Sequence, residues 1–154
     1  MRLWRITRRP HANLDGQGGL FAAGRWHSKG QKVFYASEHP SLAILETLVH
    51  LDSDLIPNDY VIIEIEVADE LAIKTLNPKE LKSIDLQKEY ATRAVGDKWL
   101  AGKKTSLLKV PSVLIGTSFN FLINPDTDGI KKIKIKRVTD FVFDARLLRE
   151  ATSV

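Results

Sequence analysis

The sequence predicts an α+β fold. Three observations lead there: many short runs with strand character, only two or three helical stretches, and no regular strand–helix–strand alternation. The chain has 154 residues, of which 44% are hydrophobic and 27% charged. One domain over residues 1–154 is expected, large enough to build its core without a disulfide or metal staple.

The elements follow in order. Residues 8–32 are rich in Gly, Arg, His and Lys and show no apolar period, so they read as a long irregular segment of the kind that often carries function. Val33–Ala36 is a short apolar strand. A helix starts near Pro40, a residue suited to a first turn, and runs to about Leu51. Its apolar arc is broad, and Glu46 and His50 stand one turn apart on the remaining narrow one. Tyr60–Val67 alternates as a half-buried strand does, with Glu64 and Glu66 on the polar side. Residues 79–82 read as a helical turn, and Leu86–Ala101 as a longer helix stopping at Gly102. Ser106–Val110, Val113–Ile115 and Asn120–Ile123 are further strands. Ile130–Val138 alternates Ile with Lys, which gives a strand with a basic solvent face, and Phe141–Phe143 is a last short strand.

Composition excludes several function classes. The chain has no cysteine, which removes disulfides, thiolate metal sites and cysteine nucleophiles and suits a reducing cytoplasm. It lacks an apolar run of the roughly 18 residues that a membrane span needs, and Met1–Ile6 has no long apolar core of a secretion signal. A net charge of +4 favours an acidic partner: nucleic acid, an anionic small molecule or an acidic protein. No P-loop, Rossmann glycine fingerprint, HExxH or GxSxG occurs. His11, His27 and His39 lack ligand spacing, so no metal site is expected.

The remaining chemistry-bearing residues form a loose set: Arg25, Tyr35, Glu46, His50 and Ser112. Each has an ordinary reading beside the functional one. Glu46 and His50 make a surface pair at i, i+4, or Glu46 lines a cleft. Arg25, next to Gly24, stacks on Trp26 or grips phosphate or ribose. Tyr35 is core, or stacks on a flat ring. Ser112 after Pro111 is turn chemistry. The lysines at 131, 132, 134 and 136 with Arg137 are a solvated edge, or an RNA-binding surface that lacks interleaved aromatics.

Taken in order, these blocks resemble the RES domain, a family of bacterial toxins encoded beside Xre-type antitoxins. They are Leu3–Ile6, Gly18–Leu20, Gly24–His27, Val33–Ser37, Leu42–His50, Gly96–Leu100, Leu108–Ser112, Asn120–Pro125 and Phe143–Leu147. The family is named for an Arg, a Glu and a Ser, matched here by Arg25, Glu46 and Ser112, and Tyr35 and His50 fall where the family places pocket residues. The resemblance implies an ADP-ribosyltransferase-like fold: two small β-sheets with a few flanking helices around an NAD cleft. NAD is then substrate rather than cofactor, with inorganic phosphate as a candidate co-substrate. Glu46 and Arg25 become the catalytic residues, and Tyr35, Ser112 and His50 bind substrate. In this reading Glu46 stabilises the charge developing on the ribose, Arg25 grips the pyrophosphate or ribose, Tyr35 stacks on nicotinamide, Ser112 orients it, and His50 supports Glu46 or the acceptor.

The resemblance leaves the acceptor open between water, phosphate and a protein side chain. The alternatives to NAD degradation are therefore a mono-ADP-ribosyltransferase acting on a host protein and, from another class, an RNA-directed toxin. The resemblance also implies an Xre-type antitoxin that blocks the cleft, admits a toxin homodimer within that complex, and gives DNA contact only through the antitoxin. One departure stands out. The family often has a His two residues beyond its Asn-Pro, whereas this chain reads Asn124-Pro125-Asp126-Thr127.

Overall fold

The computed structural model describes residues 1–51 and 56–148. Strand β1 (Arg2–Arg8) buries Leu3 and Ile6, and four-residue helix α1 (Gly18–Phe21) interrupts the long segment that follows. Next come β2 (Phe34–Ser37), α2 (Pro40–Leu48), β3 (Tyr60–Val67) and β4 (Ile73–Thr75). The chain continues through α3 (Pro78–Lys82), α4 (Glu89–Gly102), β5 (Leu107–Pro111), β6 (Phe119–Ile123) and β7 (Ile133–Asp140). The α+β class stands.

The seven strands form one hydrogen-bonded sheet in the order β4-β5-β6-β2-β1-β3-β7, antiparallel except for β4 with β5. Where two small sheets were expected, the pairing is continuous but nearly broken at one seam. β1 pairs with β3 along its whole length, yet meets β2 only at Trp4 opposite Ser37. Among the described residues the sheet is thus two lobes, β1-β3-β7 and β4-β5-β6-β2, joined by one bridge. Leu3, Ile63, Ile65, Leu107 and Ile123, all fully buried, fill the core that spans both lobes. A second core lies under α4, where Leu100 packs with Trp26, Val33, Leu108 and Leu122.

Several local expectations change. Residues 113–115 are not a strand but part of the β5–β6 loop. Ser112 Oγ accepts the N–H groups of Leu114 (3.1 Å) and Ile115 (3.0 Å), which folds the chain back. Phe141–Phe143 is irregular; the Phe141 N–H reaches only the Tyr60 carbonyl, and Phe143 is held by ring contacts with Tyr60 and Phe141. β7 begins at Ile133 because residues 128–132 form a 3-10 turn. α2 ends at Leu48, and His50 and Leu51 continue in tight turns onto the carbonyls of Thr47 and Leu48. On its broad apolar arc Leu42 is buried but Leu45 and Val49 are exposed, whereas Ala43, on the narrow arc beside Glu46, is buried. α4 begins at Glu89 and stops one residue later than expected, with Lys103 rather than Gly102 in the left-handed conformation (φ 48°). β7 is an edge strand with Lys134 and Lys136 exposed, as its alternation predicts. Lys132 and Lys136 pair with Glu70 and Glu66, which favours the solvated-edge reading over an RNA surface. Among the described residues, no helix is long and apolar enough to cross a membrane.

Candidate active site

The seam creates the site. Beyond Trp4 and Ser37 the strands part, and a cleft of about 600 Å³ opens between the lobes, roofed by α2 and the long segment after β1. Arg25, Tyr35, Glu46 and His50 all line it, together with Arg5, Arg93, Asn120 and Pro111. Ser112 is buried directly behind it, bonded to Glu46. Residues from four separate stretches of the sequence thus come together, four of them lining the cleft and Ser112 behind it.

Glu46 is the best-defined member. It is half-buried on α2, and both its hydrogen bonds fall on one oxygen. Ser112 donates to Oε1 at 2.7 Å and Asn120 Nδ2 donates to the same Oε1 at 2.6 Å. Asn120 is itself fixed by the Ser37 hydroxyl, which donates to its Oδ1 at 2.7 Å. That bond also settles the Asn120 amide orientation, since only its oxygen can accept from Ser37 while its nitrogen donates to Glu46. The result is a carboxylate with one oxygen locked and the other, Oε2, without a hydrogen bond among the described residues. The i, i+4 pair with His50 does not form; His50 lines the cleft without a bond to Glu46.

Sequence reasoning read Asn120 as a strand end and missed this role. The missing information is register. β6 pairs with β2 so that Asn120 faces Ser37, and with β5 so that Asn120 faces Val110, which brings it beside Ser112. The Ser112 hydroxyl proton goes to Glu46 and its lone pairs to two backbone N–H groups.

The Tyr35 hydroxyl is used in holding the long segment. It accepts the Trp26 N–H at 3.1 Å and lies 2.7 Å from His27 Nδ1. His27 Nε2 is 3.0 Å from the Ala22 carbonyl, which can only accept, so Nε2 carries the proton of the neutral ring. Nδ1 then accepts from the Tyr35 hydroxyl. Burial pushes the Tyr35 phenol well above its ordinary range, so it stays a donor, and burial pushes the His27 imidazole down. Gly24 is required here, because a Cβ would lie 2.8 Å from the Tyr35 hydroxyl and 2.7 Å from the His27 ring.

One face of α4 clamps the same segment. Ser28 donates to Asp97 through its N–H (2.8 Å) and hydroxyl (2.6 Å), Arg93 Nε donates to the Gly24 carbonyl (2.8 Å), and Thr92 donates to the Arg25 carbonyl. Gly96 lets the helix approach, since a Cβ would stand 1.6 Å from the Trp26 carbonyl oxygen. Arg25 is thereby presented to the cleft with its backbone fixed, its guanidinium making only a long 3.5 Å contact to the Leu86 carbonyl. Trp26 is buried beneath rather than stacked on it. Thr127, at the position where a His was expected, bonds Ser106 (2.5 Å) and the Asn124 carbonyl (3.0 Å), so it serves the turn after β6.

A two-lobed α+β fold with a half-buried, hydrogen-bonded carboxylate lining the cleft defines the class. Residues 2–144 match the RES domain, and the chain belongs to that family. It is 36% identical to a protein named Prs ADP-ribosylating toxin from Sphingobium, over 90% of this chain and 89% of that one. It is 38% identical to the Toxin Res of Pseudomonas putida, over 96% of this chain and 99% of the relative. Its fold is similar to a chain in the crystal structure of the M. tuberculosis MbcT–MbcA toxin–antitoxin complex (TM-score 0.72, 18% identity, 91% of this chain and 83% of that one).

Proposed function

We propose that this chain is the toxin of a toxin–antitoxin pair and that it cleaves the nicotinamide–ribose bond of NAD, depleting the dinucleotide. The observation that carries the reading is the Glu46 carboxylate, which lines the cleft and is locked through Oε1 by Ser112 and Asn120, with no bond to Oε2 among the described residues. Nicotinamide in NAD is a cationic leaving group and departs neutral, so no general acid is needed. The barrier is the oxocarbenium-like ribose, the species that glycoside hydrolases also meet with carboxylates. A fixed negative oxygen stabilises that charge without reorganising as it forms. The Tyr35 ring gives a stacking surface for nicotinamide, and Arg25 gives a fork for the pyrophosphate or ribose. Ser112 acts through Glu46.

The expected products identify the acceptor. Purified chain incubated with NAD yields nicotinamide and ADP-ribose if water attacks, or nicotinamide and phosphorylated ADP-ribose if phosphate attacks. Mass spectrometry with and without phosphate separates these. No loss of NAD in either buffer, from folded protein, contradicts NAD degradation. One observation favours a second reading: a relative of 36% identity carries the name ADP-ribosylating toxin. In that case, label from NAD appears on a host protein instead. The toxin role is supported by the names of the relatives; the antitoxin partner, and its covering of the cleft, belong to the same proposal.

A further inference from the structure

Two carboxylates of the described residues line the cleft, Glu46 on α2 and Glu89 on α4. Glu46 is matched to the ribose that loses nicotinamide. Glu89 is the first residue of α4, and Arg93, one turn on, lines the same cleft. Neither stood out in the sequence. The Arg93 guanidinium is held on two sides: Nε donates to the Gly24 carbonyl at 2.8 Å, and Nη2 donates to Glu89 Oε2. Among the described residues, Glu89 Oε1 and Arg93 Nη1 make no hydrogen bond.

The pair stands beside Arg25. The Thr92 hydroxyl bonds both the Arg25 carbonyl and the Glu89 carbonyl, the latter at 3.0 Å. The Arg25 guanidinium reaches the carbonyl of Leu86, three residues before Glu89. The ordinary role of such a pair is an i, i+4 bridge in the first turn of a helix, with Glu on the favoured N-terminal side. That role accounts for the contact. It does not account for the bond to the Gly24 carbonyl, which ties the pair to the segment that carries Arg25, at the cleft.

We infer that Glu89 and Arg93 hold the second ribose of the dinucleotide, the one that bears adenine, and that Glu89 makes the site selective for NAD over NADP. The inference rests on the NAD reading. NAD carries one ribose on each side of its pyrophosphate. The cleft offers two carboxylates, with the arginine assigned to pyrophosphate or ribose beside one of them. A ribose diol both donates and accepts hydrogen bonds, and a carboxylate next to a guanidinium answers both needs. An acidic residue meets the same hydroxyls in the Rossmann dinucleotide fold, which is unrelated to this one. NADP has a phosphate on the 2′-oxygen of this ribose. That phosphate removes a donor and sets negative charge against Glu89. Neutralising Glu89 lifts the repulsion and releases Arg93 Nη2 to meet the phosphate.

The test is calorimetric titration of the whole chain with ADP-ribose and with 2′-phospho-ADP-ribose, for the wild type, Glu89→Gln and Glu89→Asp, alongside nicotinamide release from NAD and NADP. The wild type is expected to prefer ADP-ribose by about a hundredfold, the scale of a like-charge clash in a binding site. In Glu89→Gln, ADP-ribose binds several-fold more weakly, 2′-phospho-ADP-ribose binds more tightly, and the preference shrinks to about threefold or reverses. The loss with NAD appears in KM rather than kcat, because Glu89 does not meet the bond that breaks. Glu89→Asp keeps the charge on a shorter arm, so it binds ADP-ribose more weakly and still rejects the 2′-phosphate. If Glu89→Gln does not fold, that behaviour of Glu89→Asp supports the site, and wild-type affinity for ADP-ribose in Glu89→Asp overturns it. A merely structural pair would weaken both ligands equally, and an unchanged preference in folded Glu89→Gln overturns the inference. So does a wild type that takes both ligands, or both dinucleotides, equally well. A wild type that shows the Glu89-dependent preference but releases no nicotinamide overturns NAD cleavage alone; one that binds neither ligand overturns both.

Discussion

Glu46 holds its position through two donors on a single oxygen, so removing either donor tests the arrangement without removing the carboxylate. Asn120→Ala leaves Ser112 to hold Oε1, and the carboxylate gains freedom to turn. We expect kcat to fall about tenfold with KM little changed, the signature of a lost interaction made in the transition state. Steady-state rates of nicotinamide release check this. Tyr35 separates two roles in one side chain. Tyr35→Phe keeps the ring but orphans the Trp26 N–H and the His27 Nδ1 acceptor. A loss of about 1–3 kcal/mol in stability is expected, read by denaturant unfolding, with activity largely kept in protein that remains folded. His27 adds a pH dependence. Its folded value lies below the ordinary 6.5 because burial disfavours the cation, so the unfolded chain binds the proton first as pH drops. The His27 contribution is therefore whole above about 6.5 and is lost as pH falls below it toward the folded value. Unfolding free energy measured across pH 5–8 should show that slope, and His27→Gln should flatten it.

At the scale of elements, helix α4 does two jobs with one face, and its sequence shows only one. The apolar period announces a packed helix, but nothing in it announces that Thr92, Arg93, Gly96 and Asp97 will bind the irregular segment carrying Arg25. Gly96→Ala drives a Cβ into the Trp26 carbonyl and is expected to cost roughly 3 kcal/mol, measured as a fall in denaturation midpoint. Lys103→Gly, at the left-handed residue that closes the same helix, is expected to stabilise by about 0.5–1 kcal/mol. Strand identity was legible wherever alternation was long, as in Tyr60–Val67, whose bounds agree with the sequence reading. It failed at Val113–Ile115, where apolar residues sit in a loop because Ser112 turns the chain by side-chain bonds. Strand β1 and the three-residue β4 were not assigned. β1 carries an arginine at every third residue rather than a two-residue alternation, so it is recognisable only once its partners β3 and β2 are known.

For the whole molecule, the decisive feature is a sheet that almost divides. One bridge, Trp4 to Ser37, joins the lobes, and the cleft lies where it ends. The sequence order of the blocks pointed to the family and so to a cleft. It could not give the seam, the shared oxygen of Glu46 or the convergence of Arg5, because each depends on pairing register between strands far apart in the chain. Arg25, Tyr35, Glu46 and His50 nonetheless line one cavity, and Ser112 stands behind it holding Glu46. The most direct measurement is nicotinamide release from NAD by purified chain, in phosphate buffer, compared with Glu46→Gln of matched circular dichroism. The account predicts release by the wild type and a loss of about 10³-fold in the variant, the scale of removing one preorganised charge-stabilising group. Equal rates in the two proteins, or none from the folded wild type, would contradict it.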